Sequence, residues 1–284
     1  MLTKDEFEEL IIVSARIPRE SLDSGARLDT TLGLDSFGLL ELTASLAELG
    51  VRLDERQWLS ARTIDELYDC YRGQFSEAAG NGRTHPGEIS GQAGDLSPAA
   101  DQPGPPVLAG QFFRLAPVLP QSVPFLYDLA ISPDVGFRWR YRGSMPSYQH
   151  FEQELWQGIL VQFLVESVQT GQPAGHLICY NPEFNLGNAY IGAAMAAPYL
   201  GSGIAAEPVQ LFINYVFDVW PFRKLYLEMP EFNFRQFASA GGRALHLEAR
   251  LRDHDYYRGR RWDRLILAAY RPGEAAPART DHFA

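Results

Sequence analysis

The sequence predicts two folded units of different class, a small helical bundle and a larger α/β domain on a mixed sheet. Three observations carry this. Apolar residues recur at helical spacing through residues 1–75. Residues 76–110 then lack enough large apolar side chains to offset the entropy of ordering them. From residue 111 onward the chain alternates β-rich segments with helical ones.

In the first unit, TKDEFEELIIVSARI sets Phe7, Leu10, Ile11 and Ala15 on one helical face. SFGLLELTASLAELG does the same with Leu39, Leu42, Leu46 and Leu49 and stops at Gly50. TIDELYDCYRG opens on a Thr63/Glu66 capping box, lines its inner face with Ile64, Leu67, Tyr68 and Tyr71, and stops at Gly73. The segment 76–110 reads as a flexible linker with a root-mean-square span of roughly 30–35 Å. Beyond it, FFRLAPV, FRWRYRG, ILVQFLVES, AGHLICY, NAYIGAAMA, KLYLEMP, ALHLEARLRD and RLILAAY read as strands. SYQHFEQELWQG and AAEPVQLFINYVFDVW read as helices, and FNFRQFASA as a weaker helical turn.

Composition narrows the function classes. The 284 residues are 46% hydrophobic and 21% charged, as in a soluble globular chain. No apolar run approaches the ~20 residues of a bilayer span. The acidic start, MLTKDEFEEL, is unlike a signal peptide, and Cys70 and Cys179 lack metal-ligand spacing, so a cytoplasmic address with reduced thiols is expected. Net charge is −10, and residues 1–75 hold 15 acids against 8 bases. Such a surface suits basic protein partners and argues against nucleic acid, whose phosphates need Lys and Arg. His246 and His254 have no Cys or carboxylate at ligand spacing, so no metal is expected.

The stretch LGLDSFGLLEL places Ser36 at the mouth of a helix. Alone, such a serine is most simply an N-cap. With Gly33, Asp35, Glu41 and Leu42 in register, residues 1–75 resemble an acyl or peptidyl carrier protein, whose core reads G-x-D-S-[LI]-x-x-x-[ED]-L; Phe37 replaces the usual Leu or Ile. The resemblance implies a four-helix bundle, covalent 4′-phosphopantetheine on Ser36 through a phosphodiester, a phosphopantetheinyl transferase to attach it, and a separate acyl-loading enzyme. A helix N-terminus, with its free N–H groups, favours such a phosphate.

Further along, a strand runs into a glycine-rich turn, Leu200, Gly201, Ser202, Gly203, Ile204 and Ala205, and then a long helix. Glycines there permit close backbone approach, and the N–H groups can cradle an anion. RKLYLEMPEFN, ending with Asn233, and the hairpin LEARLRDHDYYRGRRWDRLILA, with Asp263, complete a likeness to the GNAT superfamily of N-acetyltransferases over roughly residues 112–272. The resemblance implies acyl transfer to a small-molecule amine, a pair of strands splayed to admit a pantetheine arm, and a loop over the pyrophosphate of acyl-CoA.

Three departures stand out. Pro198 occupies the place of the loop's Gln or Arg, Ala240 that of the usual acid tyrosine, and NAYIGAAM holds no carboxylate. Weaker catalytic candidates are His176 and Glu228 as proton relays and Tyr190 and Tyr226 as thiolate donors; the first two read more simply as satisfied polar residues at strand ends and the tyrosines as packing. Arg138, Arg140 and Arg142 alternate along FRWRYRG, so as a strand they would share one face and could dock the acidic carrier helix, or simply be solvated.

Together these give a carrier domain (1–75), linker (76–110), acyltransferase domain (111–275) and tail (276–284). The arm on Ser36 would deliver an acyl group to an amine, in a natural-product pathway by family analogy. Two alternatives stay open. The second domain loads the carrier from acyl-CoA or decarboxylates a malonyl-type thioester, or it binds and presents the carried intermediate without catalysis.

Overall fold

A computed structural model describes residues 2–15, 17, 25, 27–28, 32, 34, 36–48, 51–80, 108–234 and 245–274. Gly33, Asp35, Ala240 and the tail fall outside them, as does most of the expected linker.

The N-terminal unit contains α1 (Lys4–Ala15), α2 (Ser36–Glu48), α3 (Glu55–Ser60) and α4 (Ile64–Gly80). Helix α3 was not read from the sequence; Asp54 starts it with a capping box closed by Gln57. The α4 cap is also as the spacing predicts, with Glu66 Oε2 accepting from Thr63 N–H at 3.1 Å. Gly73 does not stop α4, which runs on to Gly80. Phe7, Ile11, Leu42, Leu46, Ile64, Leu67 and Tyr71 fill the bundle's core.

The C-terminal unit is an eight-stranded sheet in the order β1-β2-β3-β4-β5-β6-β8-β7. Its strands are β1 (Leu108–Ala109), β2 (Phe113–Pro117), β3 (Ile159–Ser167), β4 (Pro173–Glu183), β5 (Asn188–Met195), β6 (Lys224–Pro230), β7 (His246–Tyr257) and β8 (Arg260–Tyr270). Among the described residues it is accompanied by the α-helices α5 (Val123–Ile131), α6 (Tyr148–Glu154), α7 (Ala206–Val219) and the single turn α8 (Glu231–Phe234). All neighbouring strands are antiparallel except β5 and β6.

Strand alternation sorts side chains into two layers. Phe163, Val165, Leu177, Cys179, Ile191 and Leu225 face α7, whose Phe212, Ile213, Val216 and Phe217 cover them. Leu164, Ile178 and Ala194 face the opposite side and pack under α5 and α6. The carrier's core belongs to the same continuous apolar cluster as the α7 layer.

The segment FRWRYRG is not a strand. Residues 133–143 form successive turns between α5 and α6. Gly136 allows this, since a Cβ there would stand 2.9 Å from the carbonyl oxygens of Ala130 and Ser132. Val135 and Trp139 anchor the turns in the apolar layer beneath. The three arginines therefore do not form an edge-strand stripe. Helix α5 also escaped the sequence reading; Pro124 in its first turn suits a helix start despite looking like a breaker.

Candidate active site

Strands β5 and β6 pair only at Asn188–Lys224, Ala189–Leu225 and Tyr190–Tyr226. Past the tyrosines they part: Ile191–Met195 stays with β4, and Leu227–Pro230 stays with β8. This is the splay that the resemblance implied. A cavity of about 450 Å³ opens there, lined by β5 from Ile191 to Met195, by Leu227–Pro230, and by Leu200, Gly201 and Ala205 of the glycine-rich turn. The α5–α6 connection closes another wall, with Trp139 packed so tightly on Gly192 that a Cβ would meet its ring at 3.1 Å.

The glycine turn is bent as its composition requires. Gly201 (φ 71) and Gly203 (φ 83) hold left-handed backbone. The carrier is seated on this turn. A Cβ on Gly203 would lie 2.5 Å from Leu39 of α2, one turn beyond Ser36. Trp58 Nε1 of α3 donates to Ser202 O at 3.1 Å, and Ser202 Oγ donates to Tyr199 O at 2.6 Å. Tyr199 OH in turn donates to Glu55 Oε1 of α3 at 3.0 Å, and Ser167 Oγ donates to Glu55 Oε2. Glu55 is 6% exposed, so both donors serve a buried carboxylate. Burial, with Glu55 beside it, pushes the Tyr199 phenol up to about 12. Gln111 Nε2 adds a bond to Leu53 O at 3.1 Å. The contact is thus apolar packing plus neutral and carboxylate hydrogen bonds, not the arginine docking that the FRWRYRG reading suggested.

The other expected residues separate. Ser36 is the first residue of α2, at the helix mouth, and Leu42 is fully buried in the carrier core. Ile204 is buried beneath the turn, and Glu41 lies half-buried along α2. Asn233 lines the cavity and accepts a hydrogen bond from Arg138 Nη1. Glu228 lines it too and pairs with Arg264 Nη1 at 3.3 Å; Arg264 also grips Asp255.

His176 is not at the cavity. It is 1% exposed, bonded to Gln162 Oε1 at 2.8 Å, and burial lowers its pKa to about 3. It is therefore a neutral packing residue and cannot relay a proton near neutral pH. Tyr190 and Tyr226 form the last rung before the splay, with rings 5.1 Å apart, and neither lines the cavity. Tyr180, one strand over, does line it, and burial with Glu228 nearby pushes its phenol up to about 12. Sequence reasoning missed Tyr180; the AGHLICY strand drew attention to His176, yet both residues fall on the same alternation.

Arg138, Arg140 and Arg142 line the cavity as well. Arg140 is tied to carbonyls, Nη1 to Leu155 O at 3.0 Å and Nη2 to Glu154 O at 2.7 Å. Burial lowers the pKa of both Arg138 and Arg140. Among the described residues no cluster of His, Cys, Asp and Glu is arranged to hold a metal, and no helix is long and apolar enough to cross a membrane.

Residues 6–71 match the family described as a phosphopantetheine attachment site, so the N-terminal unit is a carrier domain. Among curated proteins none matches this chain. The C-terminal unit is similar to spermidine N-acetyltransferase from Vibrio cholerae solved with CoA and spermine, at 16% identity and TM-score 0.49, over 56% of this chain and 95% of that one. It is also similar to spermidine/spermine N-acetyltransferase SpeG from the same organism solved with manganese, at 15% identity and TM-score 0.48, over 56% of this chain and 92% of that one.

Proposed function

We propose that this chain is a carrier-fused acyltransferase, in which an acyl group held on Ser36 is passed to an amine in the β5–β6 cavity. The observation that carries the reading is the seating of α2 and α3 on the glycine turn. Ser36 opens the same helix that meets Gly203, and the turn continues into the cavity through Gly201 and Leu200. The residues fit a phosphopantetheine arm: a helix N-terminus for its phosphate, a left-handed Gly201 with open space where a Cβ would stand, and a splayed strand pair. Bound there, the arm supplies a thioester carbonyl.

The chain's own part is positioning and proton handling. From Ile191 to Met195, β5 has no β6 partner, which leaves main-chain N–H groups beside the splay to polarise a carbonyl. Glu228 is the carboxylate placed to take the proton lost by the amine as nitrogen bonds to carbon. Tyr180 remains protonated near neutral pH and is placed to donate to sulfur as the carbon–sulfur bond breaks. Excluding water and fixing the two reactants supplies the rest.

The carrier also covers the turn that would otherwise receive the pyrophosphate of acyl-CoA. This favours delivery from the carrier over loading from free acyl-CoA. The proposed organisation keeps a carrier at 1–75, a linker at 76–110, a transferase at 111–275 and a tail at 276–284, within natural-product assembly. A phosphopantetheinyl transferase and a separate loading enzyme act first.

Intact-protein mass spectrometry tests this. Incubation with a phosphopantetheinyl transferase and acyl-CoA adds one acyl-pantetheine mass to wild type and none to Ser36→Ala. Adding a panel of amines then removes the acyl mass with matching amide formed. Acyl mass that persists with every amine identifies a non-catalytic presenting domain.

A further inference from the structure

The cavity carries a charge that the proposed reaction does not use. Four arginines line it, Arg138, Arg140, Arg142 and Arg264, against two carboxylates, Glu228 and Asp255. Arg264 takes both carboxylates. No carboxylate among the described residues lies within ion-pair distance of Arg138, Arg140 or Arg142. Asp134 and Glu154 act on Arg138 and Arg140 only at longer range. This surplus stands out in a chain of net charge −10.

The three arginines are not equivalent. Arg140 is committed to the Leu155 and Glu154 carbonyls, which fixes the end of α6. Arg138 is half-buried and gives one N–H to Asn233, leaving most of its donors without a partner among the described residues. Arg142 is exposed, its guanidinium has no polar partner among the described residues, and it sits in left-handed backbone (φ 48) ahead of Gly143 (φ 91). A non-glycine residue held there costs energy, as is common where a turn serves binding. Around them, Phe137 and Tyr257 stack with centroids 3.8 Å apart, and Trp139 closes the floor.

A half-buried cation such as Arg138, partly stripped of water and without a counter-charge within ion-pair distance, is stabilised by an anion that reaches it. A guanidinium is shaped to take a carboxylate through paired N–H donors. We propose that the cavity binds a carboxylate-bearing reactant through Arg138 and Arg142, so that the substrate is an acid-containing amine such as an α-amino acid. The same lining repels a polycationic acceptor. This rests on the acyl-transfer reading for its role, since the same carboxylate could instead belong to a dicarboxylic acyl group on the arm.

The test reads binding without requiring turnover. The full-length chain without the arm is titrated by calorimetry with the twenty standard amino acids and with matched amines lacking the carboxylate, such as phenylethylamine for phenylalanine. At least one acid is expected to bind tenfold or more tightly than its amine. Arg138→Gln and Arg142→Gln are each expected to lose at least tenfold of that preference, while Arg138→Lys keeps part of it. In a second arm, wild-type chain loaded with malonyl or acetyl groups is followed by intact mass. A longer-lived malonyl thioester that shortens in Arg138→Gln assigns the carboxylate to the acyl group and supports the site. Absence of both preferences, or preferences unchanged when both arginines are replaced, overturns the proposal. Carboxylate binding without acyl transfer would refute the enzymatic reading and leave this site standing.

Discussion

Leu39 of the carrier leaves no room for a side chain on Gly203 of the glycine-rich turn: a Cβ there would stand 2.5 Å from Leu39 Cβ and Cδ1. Gly203 is doubly constrained, because its φ of 83 also disfavours any L side chain. Gly203→Val is therefore expected to unseat the carrier and lower transfer from the loaded arm by at least tenfold. Attachment of the arm to Ser36 should proceed at least as fast as in wild type, since unseating α2 frees its Ser36 end. Acyl and pantetheine masses followed separately in time check both halves.

Glu55 accepts from Tyr199 OH and Ser167 Oγ with different oxygens. Glu55→Gln keeps the shape but offers one acceptor oxygen, leaving a buried hydroxyl to find another partner. A loss of about 1–3 kcal/mol in the docked contact is expected. Trp58→Phe should act similarly by stranding Ser202 O, with a loss of about 1 kcal/mol. Faster amide exchange in residues 199–205 and 55–58, with little change in the β3–β4 core, is the measurement.

His176 makes stability depend on acidity. Its folded pKa of about 3 lies below the ordinary value of 6.5, so between these the unfolded chain binds the extra proton. Its neutral pairing is fully effective above pH 6.5 and is lost as pH falls toward 3. The contribution to the slope is at most about 1.4 kcal/mol per pH unit. Urea unfolding of wild type and His176→Gln between pH 7.5 and 4.5 should show a shallower acid loss in the variant, whatever its stability at pH 7.5.

Thiol chemistry gives a fourth check. Burial pushes the Cys179 thiol up to about 12, and Cys70 is also raised. In the native chain without the arm, a thiolate-directed reagent should label both slowly at pH 8. Conversion to the pantetheinylated form should add one fast-reacting thiol, and Ser36→Ala should not acquire it.

Much of this was legible in local sequence. Ser36 with its apolar helix, the Thr63 cap and the glycine turn each combine a residue type with a spacing that one local structure satisfies. The arginine run failed for an instructive reason. FRWRYRG alternates with period two, but Val135 and Trp139 are drawn into the layer below, and Gly136 lets the chain fold back on α5. Tertiary packing overrode the local pattern. The docking residues Glu55 and Trp58 were invisible because their partners, Tyr199, Ser167 and Ser202, lie over a hundred positions away. A buried acidic residue on a short, capped helix looks like any solvated one until its donors are seen.

The seat on the turn also imposes an order of events. The end of α2 that meets Gly203 is the end that begins with Ser36, so one small surface must serve every protein that handles the arm. On the proposed acyl transfer, Ser36 is closed to a charging enzyme while α2 rests on the turn. Charging and discharge then alternate like the two strokes of a pump, and the strength of the Leu39, Trp58 and Glu55 contacts sets how long each stroke lasts.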